Sequence, residues 1–224
     1  MISLTFDDGT ADQLSAARLL AERGLAATFY VNSGRVGSDS SYLDWGDLAE
    51  VAAAGHEIGS HTVDHVDLTR VAPEVAHEHL VADRRALAAR GFPAHSFAYP
   101  YGARSPEARS LVVEAGYASA RRAWGLAADG DPSQPATESL PPLDAHAIRT
   151  VPSLEHGTTL EQLQRVVLRA EHRGGWLPLV FHGVGVDRTQ YDVSEALFRT
   201  FVDWLHERRG GRLAVRTVGD VMQR

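Results

Sequence analysis

The 224-residue chain contains neither cysteine nor lysine. Without cysteine there is no thiolate nucleophile, no sulfur-ligated zinc and no disulfide framework. A metal held by this chain must therefore sit among histidine and carboxylate ligands. Without lysine there is no Schiff-base chemistry and no P-loop lysine, and all 22 basic side chains are arginine. Abundant Arg and Ala are the ordinary mark of a GC-rich genome. Positive charge is also in deficit: 29 acidic residues leave a net charge of −7 with no basic run, which argues against a nucleic-acid partner. No apolar stretch approaches the roughly 18 residues of a membrane span, and no signal peptide is visible. The first strand reads from residue 2. The expectation is a trimmed mature form or an excised domain, secreted or at the cell surface on that reading and cytoplasmic otherwise. A monomer is expected.

With 44% hydrophobic residues the chain can bury one sizeable core. Strand and helix signals alternate. Ile2 to Phe6 reads as a strand, and Thr10 with Gln13 as a capping box for a helix ending at Gly24. Leu25 to Val31 reads as a buried strand. Asp44 opens a helix that stops at Gly55, and 56–60 is a short strand. A helix runs from Pro73 to near Gly91, a strand covers 96–99, and Ser105-Pro106 begins a helix ending at Gly116. Residues 117–120 read as a strand, 125–146 as a polar segment too long for a simple connection, and 147–149 as a weak strand. Thr158 and Glu161 suggest a second capping box. The strand 176–181, a helix capped by Ser194, and 213–215 with a short helix complete the pattern. The alternation predicts an α/β fold with a mainly parallel sheet. About seven or eight strands suit a barrel, whose reactive groups gather at the C-terminal strand ends. Asp7, His61, Tyr101 and His182 all fall at such ends. No repeat or linker interrupts the chain, so residues 1–224 read as a single domain.

Asp7-Asp8 at the mouth of the first strand suits a metal ligand plus a general base, and adjacent carboxylates are hard to keep ionised without a cation. His61 and His65, four residues apart, share a face if the segment makes a helical turn, and two imidazoles then reach one divalent ion. His182 ends another apolar strand. Two acids, two histidines and a third histidine as acid are the parts of a metal-assisted hydrolase. Taken singly, each has a plainer reading as a turn, a surface pair or a buried histidine. His77 and His79, two apart on a helix, read as solvated.

Thr5-Phe6-Asp7-Asp8-Gly9 followed by His61-Thr62-Val63-Asp64-His65 resembles the polysaccharide deacetylase family, the NodB-homology carbohydrate esterases of family 4. Phe97-Ala98-Tyr99-Pro100-Tyr101-Gly102 resembles its third motif and Leu179-Val180-Phe181-His182 its fifth. The resemblance runs from residue 3 to about residue 220. It implies a distorted (β/α) TIM-like barrel with about seven parallel strands and removal of acetyl groups from an N-acetylated glycan. It implies Asp7 as general base, Asp8, His61 and His65 as metal ligands, the Tyr101 backbone N–H as an oxyanion donor and His182 as general acid. Zinc is the implied metal, with cobalt, iron or nickel as alternatives, and an acetylated glycan is the implied partner.

Two departures qualify the transfer. The family's third motif commonly carries an arginine, which pairs with the base, where this chain has Ala98. The fourth motif is not recognisable. Arg121 or Arg122, at the end of the next strand, is expected to reach the base instead. Gly183 also stands where many members have an acid. Val180, Tyr101 and Trp124 are candidates for the acetyl pocket, and Tyr42, Trp45 and Tyr191 for stacking on sugar. The alternatives are an O-deacetylase such as an acetylxylan esterase, an allantoinase-like amide hydrolase, and a non-catalytic glycan-binding barrel supported by Ala98 alone.

Overall fold

The computed structural model describes residues 1–128, 133–208, 211 and 213–223. Seven strands, β1 (Ile2–Phe6), β2 (Ala27–Val31), β3 (Glu57–Ser60), β4 (Ser96–Ala98), β5 (Ser119–Gly125), β6 (Ile148–Thr150) and β7 (Leu177–Phe181), form one sheet in the order β6-β5-β4-β3-β2-β1-β7. Every strand pair is parallel. The sheet curls into a nearly closed, distorted (β/α) barrel. The gap between β6 and β7 is bridged by the long polar segment, whose residues 129–132 lie outside the described residues. Glu138 exchanges backbone hydrogen bonds with Trp176 at 2.7 and 2.8 Å, and its carboxylate accepts two bonds from the Arg149 guanidinium of β6 at 2.9 and 2.6 Å. That segment is therefore a barrel strap as well as a connection.

The period of two along each strand decides what faces the barrel interior. On β1, Ile2, Leu4 and Phe6 face the helices and join the main hydrophobic cluster, so Ser3, Thr5 and then Asp7 point inward. On β7, Leu177, Leu179 and Phe181 face outward, which turns Val180 and His182 inward. Phe6 is in register with Phe29 and Phe181, and their rings stack at 4.7 and 5.2 Å. Truncating one such buried phenylalanine costs about 3–5 kcal/mol. This aromatic belt, sealed by Phe198 from outside, fixes the strand ends from which Asp7 and His182 project.

The helices α1 (Gln13–Glu22), α2 (Trp45–Ala53), α3 (Pro73–Ala88), α4 (Pro106–Glu114), α5 (Leu160–Arg173), α6 (Glu195–Glu207) and α7 (Val218–Met222) pack outside or close the ends. Asp44 caps α2, Ser105 α4 and Ser194 α6, as their types and positions suggest. Other local expectations are corrected. Thr10 does not cap α1, because it is drawn into an isolated bridge with Tyr42, and Asp12 takes the cap position. The second capping box is Thr159 with Gln162, one residue later than expected. β5 runs to Gly125 through a register irregularity, and 213–215 forms no extended strand among the described residues but bridges to β1 at Ile2–Val215. No helix among the described residues is long and apolar enough to cross a membrane.

Candidate active site

Asp7, Asp8, His61, His65, Tyr101 and His182 all line one open cavity of about 370 Å³ at the C-terminal ends of the strands. Gly102, Trp124, Ser153 and Tyr191 are among the other residues of its wall. Asp8, Thr62, His65 and Tyr101 adopt left-handed backbone conformations with φ of 76, 67, 60 and 57°. Such residues each cost on the order of 1–3 kcal/mol and persist where the surroundings enforce them. Their concentration around one cavity marks it as a built site.

Asp8 turns out of β1 so that its Oδ1 lies 3.6 Å from His61 Nε2 and 3.4 Å from His65 Nε2. That oxygen is buried and accepts no hydrogen bond. The segment 61–65 is not helical. The two left-handed residues wrap the chain so that the imidazole centroids come within 4.8 Å. Spacing thus led to the correct pairing by an incorrect geometry. His61 Nδ1 sits 2.7 Å from the Ala98 carbonyl oxygen. A carbonyl only accepts, so Nδ1 carries a proton and Nε2 is the nitrogen that faces Asp8. Burial, with the neighbouring His61 next in importance, pushes His65 down to about 4, so its imidazole is neutral at physiological pH. One carboxylate oxygen and two imidazole nitrogens, mutually within 4.8 Å and otherwise unsatisfied, fit a divalent cation.

Asp7 is 3% exposed, and its Oδ1 is ion-paired with the guanidinium of Arg121. Burial by itself would raise the Asp7 pKa. The Arg121 charge and hydrogen bond, with help from His61 and His182, override it and hold the carboxyl below its ordinary range. Arg121 is fully buried and lies over the Tyr30 ring at 4.6 Å. It stands directly beside Ala98 in the β4–β5 register. The small side chain at 98 thus adjoins the arginine that reaches the base from the next strand. The other candidate, Arg122, does not touch Asp7 and stacks over Trp124 instead. The cation facing Asp7 is accordingly a side chain, not the metal that adjacent carboxylates alone suggest.

His182 stacks against the Tyr191 ring at 5.2 Å, and its buried Nδ1 has no partner. The Tyr101 ring meets His65 at 4.4 Å. Of the acetyl-pocket candidates, Tyr101 and Trp124 line the cavity, whereas Val180 is buried in the barrel. Of the stacking candidates only Tyr191 reaches it. Tyr42 bonds Arg35, and Trp45 packs against the core under Arg90. His77 and His79 are half-buried on α3 and do not line the cavity.

Several supporting residues escaped sequence reasoning. The Gln13 side-chain amide donates to the backbone oxygens of Asp7 and His182 at 2.5 and 3.1 Å, tying β1 to β7 beneath the site. Asp83 of α3 is fully buried and accepts from the Ser60 hydroxyl, Ser33 N–H and His61 N–H. Its signal was available, since Asp83 lies on the same buried stripe as Ala76, Leu80 and Leu87. Asp192 accepts from the N–H groups of Gly183, Arg188 and Thr189, and a side chain at 183 would collide with its carboxylate.

The profile of the polysaccharide deacetylase family matches residues 1–120. A chitooligosaccharide deacetylase of Bradyrhizobium is 30% identical over 126 residues, covering 53% of this chain and 53% of its own. The chain spans about half or less of the length of the first curated relatives it matches. Two solved structures share the fold. A family 4 acetyl xylan esterase of Clostridium thermocellum, in complex with a cobalt ion, has a TM-score of 0.65 at 18% identity, over 99% of this chain and 90% of the other. A family 4 carbohydrate esterase of Streptomyces lividans, in complex with acetate, has a TM-score of 0.63 at 16% identity, over 96% and 90%.

Proposed function

Since the chain belongs to the polysaccharide deacetylase family, we propose that its cavity hydrolyses acetyl groups from N-acetylated sugars of a polysaccharide or peptidoglycan-like glycan. The observation that carries this reading is the juxtaposition of Asp8 Oδ1, bare and buried, with two imidazole nitrogens, beside a second carboxylate already neutralised by arginine. Asp8, His61 and His65 would hold a divalent metal, most simply zinc, with cobalt, iron or nickel as alternatives. Such an ion supplies Lewis-acid polarisation of the acetyl carbonyl and a more acidic water.

The remaining work falls to the chain's own groups. Asp7, kept ionised by Arg121, accepts a proton from the attacking water. The Tyr101 backbone N–H serves as a donor to the carbonyl oxygen as charge builds on it. An amine cannot leave as its anion, so His182, on the same cavity, delivers a proton to the departing nitrogen. Arg121 is a positioning residue: it fixes Asp7 Oδ1, leaving Oδ2, 4.0 Å from His61 Nε2, toward the site. The glycan-binding reading without turnover loses its single support, because an arginine does contact Asp7 despite Ala98.

One observation favours a second reading. His182 Nδ1 has no carboxylate or carbonyl to brace it, and an ester leaves with less help from an acid than an amide does, so an O-acetylated glycan such as acetylxylan is the alternative substrate. Acetate release from N- and O-acetylated glycans, measured with chelator and after adding metals back, tests both. Release that needs metal and occurs from N-acetylated glycans supports the first reading. Release from esters alone supports the second, and release from none overturns both.

A further inference from the structure

At the β4–β5 edge of the cavity, charge runs opposite to the rest of the chain. Trp124, 41% exposed, forms part of the cavity wall and packs its ring over Gly102. Arg122 lies over the same ring at 5.3 Å, and Arg104 follows two residues after Gly102. Arg149 and Arg109 complete a group of four arginines, against two carboxylates. Both carboxylates are taken, Asp144 by Arg109 at 2.8 and 2.8 Å and Glu138 by Arg149 at 2.9 and 2.6 Å. Arg122 and Arg104 make no ion pair among the described residues, and the Arg122 Nε is buried without a hydrogen-bond partner. Burial, then the charges of Arg104 and Arg149, hold the Arg122 pKa below its ordinary value.

We propose that Trp124, Arg122 and Arg104 form a subsite for a carboxylate-bearing sugar of the glycan chain, adjoining the cleft in which acetyl is removed. The exposed part of the indole, beside the guanidinium that lies over it, offers an apolar surface for a pyranose ring. The guanidinium fork matches a carboxylate and binds it by charge-assisted hydrogen bonds. The overall charge of −7 does not cancel this attraction. Charges more than about 8 Å away are largely screened at physiological salt, so Arg122 and Arg104, which make no ion pair among the described residues, decide at contact range. The substrate class is thus a mixed acidic glycan, with an acetylated amino sugar in the cleft and a uronic acid or lactyl-ether sugar beside it. The proposal rests on the deacetylase reading for its cleft, though its binding claim is separable.

The test compares a hyaluronan tetrasaccharide, in which glucuronic acid alternates with N-acetylglucosamine, with chitotetraose, which is N-acetylglucosamine throughout and carries no carboxylate. Affinity is measured by calorimetry on the metal-loaded protein, alongside acetate release. Hyaluronan should bind roughly 10-fold more tightly at low salt and lose that advantage at high salt. Arg122→Gln and Arg104→Gln should each reduce the preference several-fold and leave chitotetraose unchanged, while Arg122→Lys, which keeps the charge, should retain part of it. Melting curves confirm that each variant is folded. Equal affinity for the two glycans, or a preference that survives both Gln variants, overturns the subsite. Acetate release without carboxylate preference overturns the subsite alone. Carboxylate preference without acetate release from any glycan overturns the deacetylase reading and leaves the binding claim standing.

Discussion

The two sides of the cleft are held in place by different means. On the β1–β3 side, the candidate metal ligands come from two short segments and are fixed mainly by backbone, through the Ala98 carbonyl on His61 and the left-handed turns at Asp8, Thr62 and His65, with one side-chain amide, that of Asn32, bonded to the His61 and Thr62 carbonyls at 2.6 and 3.1 Å. On the β5–β7 side, position is set by side chains from remote segments. Arg121 reaches Asp7 across 114 residues of sequence, and Gln13, Asp12 and Asp192 brace His182 and the loop behind it. A backbone frame tolerates change only at its ligands. A side-chain brace can be supplied from either of two neighbouring strands, since Ala98 and Arg121 stand side by side in register.

The largest expected effects fall on the first side. His65→Ala, or chelation of the unaltered protein, should lower acetate release by more than about 10³-fold with little change in melting temperature, because His65 lies at the rim and not in the core. Activity that survives both would remove the distinction between the two sides. Next comes Arg121→Ala, expected to lower kcat by roughly 10²-fold, with a stability loss of about 3–5 kcal/mol from the buried carboxylate left unpaired. The sharper form is the double variant Arg121→Ala, Ala98→Arg, which places the arginine on the neighbouring strand. Recovery of about 10-fold over Arg121→Ala would show that the brace is transferable, and no recovery would show that this barrel accepts the cation only from β5.

The same contrast explains what was legible in the sequence. The barrel followed from alternating strand and helix signals and from the fall of Asp7, His61, Tyr101 and His182 at C-terminal strand ends, both properties of short segments. The candidate ligand set followed from local motifs and the resemblance they carry. The residues missed, Gln13, Asp83, Asp192 and Glu138, act over distances set only by the closed barrel, and each is polar in a place where a local rule offers a simpler role. Gln13 looked like a capping residue and is instead a buried clamp between β1 and β7. His61 and His65 show the converse, since their spacing was informative although the helix assumed for it is absent.

His182 probes the second side through the substrate dependence of its effect. His182→Ala should reduce turnover of an N-acetylated glycan by about 10²–10⁴-fold, as expected for loss of a general acid, and turnover of an O-acetylated one by only about 10-fold. Equal losses on both would mean that the imidazole acts by binding instead of by proton delivery. Tyr191→Leu, which removes the stacked ring, should lower kcat several-fold with KM little changed if the ring orients the imidazole.

The smallest effect tests whether side-chain bracing extends to the barrel closure itself. The Glu138 carboxylate is 2% exposed, and burial works to raise its pKa, yet the bonds from Arg149 and from the Arg149 and Ser139 amides hold it below its ordinary value. A carboxyl lowered in the folded state stabilises the fold above its unfolded pKa of about 4.3, and that stabilisation is lost as pH falls through the lower, folded value. Glu138→Gln keeps the shape and removes the charge, so it should cost about 1–3 kcal/mol at neutral pH, or a few degrees of melting temperature. The gap to the unaltered protein should narrow as pH drops below about 4, because acid then neutralises Glu138 in both states. Turnover well below the melting temperature should be unchanged, since Glu138 is absent from the cavity wall. A gap that stays constant with pH would mean that the strap works as a neutral hydrogen-bond acceptor, and the closure of the barrel would then belong with the backbone-held side.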